Sequence, residues 1–476
     1  METLQRTANR GSISTGYDID NSLKLEADNG EVLTQTIGAG SRTTATYSFW
    51  FKRTELGASM QLAGISPIGS ETTRFLITSN DVLDVESGVG GDNNSLVTNR
   101  VFRDTSAWYH FVVAIDTTQA TEANRVKVYI NGVQETSFSA SEYPAQDTNL
   151  TIGVSGYTWS WGAYSSTLIK SSGYLAEAYY IDAQQLDPTS FGEFDEDTGI
   201  WKPIAYTGSF GSNGHYLDFS DASNLGNNLS GVGSDFTPTN ITSADQATDT
   251  PTNNFCTLNP LVQYLPDGAY SFISEGATKA RSTQFDVYYT YAPTFGVTSG
   301  KWYAEFEYEG SQADNLVGIL DIDAVVSYNK RLGETGQWSV GLNQSNGTLF
   351  VTSDSGVTST ASWGASAADG DIISVAVDMD NYFVYFAKNG TWQNSGVPTS
   401  GASGTGGVAF DSNKTVGIGC STYSGAADGI IFTNLGGYTA GTISSAATDE
   451  NGYGTFEYAP PSGYYALCTK NLAEYG

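Results

Sequence analysis

Trp108-Tyr109-His110-Phe111-Val112-Val113-Ala114-Ile115-Asp116, followed by Val126-Lys127-Val128-Tyr129-Ile130-Asn131-Gly132, is the stretch whose reading decides the fold. Gly370-Asp371-Ile372-Ile373-Ser374-Val375-Ala376-Val377-Asp378, followed by Tyr382-Phe383-Val384-Tyr385-Phe386-Ala387-Lys388-Asn389-Gly390, repeats its logic in the other half. In the first, Tyr109, Phe111, Val113 and Ile115 share one strand face, and Val126, Val128 and Ile130 share another. In the second, Ile373, Val375, Val377 and Met379 do the same opposite Val384 and Phe386. Each run ends in Asn-Gly, a pair that accepts positive φ and turns the chain back into a further strand. Each half of the chain therefore predicts its own antiparallel sheet.

Working outward, 476 residues exceed one ordinary core, and two domains follow from the two hairpins. The 54 Gly, 29 Tyr and 22 Phe favour strands and tight turns, so the prediction is all-β, two antiparallel β-sandwiches. No sustained helical period and no run of 18 apolar residues is present, which argues against a membrane-inserted chain. The 51 acidic and 21 basic residues give a formal charge of −30, a field that repels nucleic acid and anionic lipid. The start, Met1-Glu2-Thr3-Leu4-Gln5-Arg6, lacks a basic-then-apolar stretch and predicts synthesis in a cytoplasm without a secretory signal. Cys256, Cys420 and Cys468 are odd in number and fit no zinc spacing, so they read as small buried hydrophobes.

Four segments are expected along the chain. Residues 1–15 are polar and aperiodic and read as an arm that docks to a partner. Residues 16–220 carry short strand-like runs with Gly, Asn and Ser punctuation, which predicts a sandwich. Within it, Asp187-Pro188 starts a short helical turn on the sandwich rim. Residues 221–260 are rich in Asn, Ser, Asp, Thr, Gly and Pro and read as a connector pinned by Phe255 and Leu258. Residues 261–476 form the second sandwich, clearest from Gly300-Lys301-Trp302-Tyr303-Ala304-Glu305-Phe306-Glu307-Tyr308 onward.

Several residue sets invite chemistry. Gly156-Tyr157-Thr158-Trp159-Ser160-Trp161-Gly162-Ala163-Tyr164 reads as a loop whose Tyr157, Trp159, Trp161 and Tyr164 stack on sugar rings, a glycan contact. Asp195 and Asp197 are the leading candidates for a calcium ion, beside Asp218 to Asp221 and Asp314 with Asp321 and Asp323. Glu305, Glu307 and Glu309 share one strand face and read as the solvated side of an outer strand. His110 lies inside an apolar strand and reads as a packed residue, not a base. With His215 it is one of two histidines, beside no nucleophile elbow and no phosphate-binding glycine loop, so no catalytic residue is assigned.

The first half resembles the laminin-G and concanavalin-like lectin group in Tyr47-Ser48-Phe49-Trp50-Phe51, in Trp108 to Val113 and in Val128-Tyr129-Ile130-Asn131-Gly132. The second resembles the SPRY group in Gly300 to Tyr303, Gly370 to Asp378 and Phe386 to Gly390. Gly16 to Leu23, Phe191-Gly192-Glu193-Phe194, Trp201-Lys202-Pro203, Pro251 to Pro260 and Gly463 to Leu472 together resemble a family of tailed-phage virion proteins. That resemblance implies a non-enzymatic virion structural protein, a tail fibre or tail-associated adhesin contacting host-surface glycans, with capsid decoration as the alternative. It also implies a homo-oligomer with other virion proteins as partners. A glycan-hydrolysing enzyme is the remote alternative, because Glu193-Phe194-Asp195-Glu196-Asp197-Thr198 misses the paired-carboxylate pattern of glucanases at its last position.

Overall fold

In the hairpin strand Trp108–Asp116, period-two alternation turns Phe111, Val113 and Ile115 inward, where they meet Val126, Val128 and Ile130 of the return strand. The positive-φ turn follows as expected, with Asn131 at φ 48° and Gly132 at φ 78°. The Asn131 side-chain oxygen accepts the His110 N–H at 2.7 Å, so the turn residue also caps its neighbouring strand. The second hairpin repeats this device: Asn389 at φ 44° accepts the Ile372 N–H at 2.9 Å. A side chain on Gly132 would also collide with the Trp201 ring, so glycine is required there for packing as well as φ.

The computed structural model describes residues 16–66, 72–88, 94–165, 168–262, 271–309, 314–323, 329–425 and 428–476. The expected arm at residues 1–15 lies outside them. The chain divides into two compact units at Asn253 and Asn254. In the first unit, the strands Val126–Ile130, Trp108–Asp116, Thr44–Arg53, Gly173–Asp182, Ser22–Leu25 and Gln246–Ala247 pair in that order as one antiparallel sheet. The facing sheet runs Ser95–Val101, Val82–Gly88, Thr72–Ile77, Met60–Ser66, Thr158–Trp161, Val32–Thr36, Thr237–Thr239. Tyr47, Phe49, Phe51, Phe75, Trp159, Trp161 and Leu175 fill the space between them.

The second unit has the same construction. One sheet orders Lys279–Ser282, Gly429–Asn434, Lys301–Glu309, Ile372–Asp378 and Phe383–Lys388; the other orders Val287–Tyr291, Val416–Ser424, Leu316–Asp321, Ser339–Asn343, Leu349–Ser353 and Gly356–Thr360. Trp302, Phe306, Ile319, Val340, Ile373, Val375, Phe386 and Ile418 lie between the sheets. The all-β expectation of two antiparallel sandwiches is the observed fold. All three cysteines are buried free thiols, and Cys256 and Cys420 belong to this core.

Two expectations are corrected. Residues 221–260 are not a connector: Thr237–Thr239 pairs with Val32–Thr36, Gln246–Ala247 pairs with Ser22–Leu25, and Leu225 and Phe236 sit in the first core. From Asn254 the chain belongs to the second unit, where Phe255 bridges Cys468 and Leu258 enters the core. The composition misled because these segments are held by specific polar contacts instead of apolar alternation. Lys24 meets Glu31 and Asp245 at 2.8 Å each, and Lys52 meets Asp249 at 2.7 Å, all at side chains no more than 9% exposed. The short helical turn does form, at Pro188–Ser190, but off the rim: Phe191 packs on the sheet's outer face with Val112, Ala114, Tyr129, Tyr179 and Ile181. Asp187 precedes the turn without capping it, and its carboxylate accepts the Tyr129 hydroxyl.

Asp249 also accepts the Trp108 indole N–H at 3.0 Å. Asp249→Ala removes the carboxylate 2.7 Å from the buried Lys52 ammonium together with the acceptor of the Trp108 N–H, and the first unit is expected to lose about 3–5 kcal/mol. Calorimetry of the full chain checks this, and adding Lys52→Met to the same variant should recover part of the loss.

Candidate functional site

The aromatic stretch at 156–164 is not a loop: Trp159 and Trp161 lie on the strand Thr158–Trp161, and Tyr164 lies on the short strand Ala163–Ser165. Thr158–Trp161 runs between Val32–Thr36 and Met60–Ser66, with Trp159 beside both Gln35 and Ile65. Trp159 is 1% exposed and stacks on Tyr47 at 5.0 Å, while Trp161 is 0% exposed and donates its indole N–H to His215 Nε2 at 3.0 Å. Neither indole offers a face to a sugar, so the expected glycan contact is corrected to a core position. Tyr157 and Tyr164 are half-buried, and Tyr157 packs against the same core. The missed signal was Trp-Ser-Trp itself, a period-two alternation that places both indoles on one strand face.

Asp195 is likewise committed locally. Its Oδ1 accepts the N–H groups of Asp197 and Thr198 and the Thr198 hydroxyl, and its Oδ2 meets Lys202 at 3.2 Å. These bonds hold its carboxyl below the usual range. Asp197 is exposed beside it. Among the described residues no three His, Cys, Asp or Glu side chains gather as a metal-ligand group. Asp218 and Asp221 close similar turns on Ser220 and Ser223.

His110 is buried, accepts the Trp201 indole N–H on Nδ1 at 2.9 Å and bonds Ser48 Oγ through Nε2 at 2.8 Å. Burial lowers its pKa to about 3, and does the same for His215. Both imidazoles are therefore neutral at pH 7. Elsewhere in the first unit, Glu177 stands at φ 50° in a bulge of Gly173–Asp182 and accepts hydroxyls from Tyr17, Tyr179 and Tyr216. Burial raises its carboxyl to about 6 and raises the phenols too, so none of the three is an activated nucleophile.

On the strand Lys301–Glu309, Glu305 and Glu307 face cover from another segment, not open solvent. That strand is central, between Ile372–Asp378 and Gly429–Asn434, and its outer face lies beneath residues 442–466. Glu305 is 2% exposed and accepts the backbone N–H groups of Glu457 and Tyr458, each at 2.8 Å, and the Tyr303 hydroxyl at 2.8 Å. Glu307 accepts the Thr442 N–H and hydroxyl, and half-buried Glu309 faces Lys279 at 4.0 Å. The outer-strand reading is corrected accordingly: Glu305 and Glu307 clip the C-terminal segment to the sheet.

What remains at the surface as a binding arrangement lies on the outer face of the second unit's other sheet. Val287, Tyr289 and Tyr291 point into the core, so Tyr288 points out, directly across from Tyr423 in register. Their rings lie 4.6 Å apart and both are half-buried. Tyr423 donates to Asp286 at 2.7 Å, and Tyr288 donates to Asp314 at 3.3 Å. Asp314 also takes Asn343 and Ser345, each at 3.2 Å. The Arg331 guanidinium sits 4.0 Å from the Phe350 ring centre and 5.4 Å from that of Tyr288. Leu316, Leu320 and Leu332 form the apolar base. Burial and the Asp314 charge raise the Tyr288 phenol to about 12, so it stays a neutral hydrogen-bonding group. Sequence reasoning missed this face because its members come from five separate segments; the out-of-phase tyrosine of Val287-Tyr288-Tyr289 was its only local sign.

Residues 25–169 match the family model of the Concanavalin A-like lectin/glucanases superfamily. No curated protein matches the chain. Among solved structures, the LG1-3 region of the laminin alpha2 chain is similar at 10% identity and a TM-score of 0.36, covering 87% of this chain and 62% of that one. The SPRY domain of human HERC1 matches at 15% identity and a TM-score of 0.28, covering 37% and 96%. The native heptameric SAP-like pentraxin from Limulus polyphemus matches at 15% and 0.30, covering 40% and 91%. Likeness at this level does not extend to function.

Glu305 yields a pH dependence. Burial raises its carboxyl from 4.5 to about 7, so the folded chain holds a proton that the unfolded chain has released between those values. Its contribution to stability is complete below pH 4.5 and lost as the pH rises through 7, with a slope of up to about 1.4 kcal/mol per pH unit. Urea unfolding at pH 5 and pH 8 checks this, and the difference should shrink in Glu305→Gln.

Proposed function

We propose that this chain is a non-catalytic structural protein of a tailed-phage particle, a tail-associated adhesin that contacts host-surface glycans. The observation that carries the glycan contact is the outward Tyr288–Tyr423 pair, an aromatic platform set among polar groups that can serve sugar hydroxyls. Asp286 and Asp314 supply acceptors, and Arg331 supplies donors. The match of residues 25–169, in the first unit, to the Concanavalin A-like lectin/glucanases superfamily supports a carbohydrate as the kind of ligand. The virion placement rests on the sequence blocks Gly16 to Leu23, Pro251 to Pro260 and Gly463 to Leu472. Two buried, neutral histidines and phenols held protonated support a binding role over a catalytic one.

On a particle the protein acts in multiple copies beside other virion proteins, so a weak single-site affinity is multiplied by avidity. Its net charge of −30 keeps the copies soluble.

Tyr288→Ala with Tyr423→Ala removes the platform and is expected to lower host-cell adsorption at least about 10-fold while the melting temperature stays near that of the parent, because both rings are half-exposed. Unchanged adsorption sinks this surface as the receptor site. Gold-labelled antibody should mark tail tips; label on the head moves the protein to a decoration role.

A further inference from the structure

Resting on the glycan-binding reading, we propose that the Tyr288–Tyr423 face takes a sugar bearing a carboxylate, a uronic or sialic acid residue, and that Arg331 is the group that reads the acid. The inference starts from how the chain uses its arginines. Of the eight described, Arg53 and Arg103 meet Asp81, Arg74 meets Glu86, Arg100 meets Glu135 and Arg281 meets Asp428. Arg42 and Arg125 donate to backbone carbonyls of Leu150, Gln119 and Pro144. Among the described residues, the Arg331 guanidinium alone has neither a carboxylate nor a carbonyl partner, although its backbone N–H meets Glu334 at 3.4 Å, in a chain with 51 acidic residues. Among the described residues its only side-chain hydrogen bond is a long one, 3.4 Å, to the Tyr288 hydroxyl.

The guanidinium is nevertheless fixed. Its centre lies 4.0 Å from the Phe350 ring centre and 5.4 Å from that of Tyr288, and apart from the long Nη1 bond to the Tyr288 hydroxyl its N–H groups are still able to make bonds. A planar fork held by rings matches a carboxylate in two parallel hydrogen bonds, and little side-chain entropy is lost when they form. The sugar ring of the same ligand lies on the adjacent tyrosines. Asp286 and Asp314 do not neutralise the fork directly: one takes the Tyr423 hydroxyl, and the other takes Tyr288, Asn343 and Ser345. Their remaining lone pairs accept ring hydroxyls, so the site combines one cation for the acid with two acceptors for the rest of the sugar.

The experiment uses the full chain and oligosaccharides ending in glucuronate or N-acetylneuraminate, each beside its carboxyl-reduced counterpart, in which the acid is a primary alcohol and the ring is unchanged. Calorimetric binding to the acids is expected to exceed binding to the reduced sugars at least about 10-fold and to weaken as salt is raised. Arg331→Gln should erase that preference, and Arg331→Lys, which keeps the charge without the fork, should retain only part of it. Equal binding of acidic and reduced sugars, abolished by Tyr288→Ala with Tyr423→Ala, overturns the acid assignment and leaves the glycan reading standing. Binding of neither set overturns both. Because the comparison of native with reduced sugar needs no variant, poor folding of Arg331→Gln does not blunt the test.

Discussion

The Lys52–Asp249 ion pair sets the terms for the first unit. A sandwich needs only its inner faces covered, yet the strand Thr44–Arg53 is buried along both faces, so its outward Ser48, Trp50 and Lys52 must all find partners out of water. His110 meets Ser48 and stacks on Trp50, and Asp249 meets Lys52. An ammonium buried at 0% exposure is tolerable only with its carboxylate in place. That carboxylate arrives 197 residues later in the chain, which makes the segment around it part of the domain. The second unit solves the same problem with the charge reversed: Glu305 is the buried group on the sheet, and the backbone N–H groups of Glu457 and Tyr458 come to it.

This explains where sequence reading succeeds and where it stops. Phe111, Val113, Ile115 and the Asn131-Gly132 turn were legible because alternation and positive φ are local requirements, settled within a few residues. Strand order was not, because nothing near Thr237–Thr239 announces its pairing with Val32–Thr36. The segment from 221 to 253 is polar because, apart from the core side chains Leu225 and Phe236, it reaches the sheets by single charges and edge hydrogen bonds. Composition cannot distinguish such a segment from a linker; only its partners can. Trp159 and Trp161 failed for a different reason. Large indoles among Gly and Ser look exposed, but two of them on one face of a central strand fill a core that their small neighbours leave open.

The candidate site follows the same division. Each member is an ordinary surface residue in its own segment: a tyrosine out of phase with its strand, a second on a partner strand, an arginine in a loop, an aspartate before another strand. Register brings Tyr288 opposite Tyr423, and the loop after Asn329, whose side chain takes the Tyr288 N–H, brings Arg331 over Phe350. The set exists only once the sheet is closed.

A sheet face is also a different kind of site from the loop that sequence reading favoured. Loop side chains must be ordered when a ligand arrives, and each ordered side chain costs about 0.5–1.5 kcal/mol. Here the rings are fixed by strand register, the guanidinium by two rings, and Asp314 by three donors before any ligand is present. Such a surface suits brief, repeated contacts by many copies, because little of the weak single-site free energy is spent on ordering the protein. It also accounts for an Arg331 guanidinium whose side-chain hydrogen bond goes to a tyrosine hydroxyl and not to a carboxylate. In a chain with an excess of 30 acidic residues, a guanidinium that stacks on Phe350 and reaches Asp314 only through the Tyr288 hydroxyl, without an ion pair among the described residues, keeps donors in hand for a ligand.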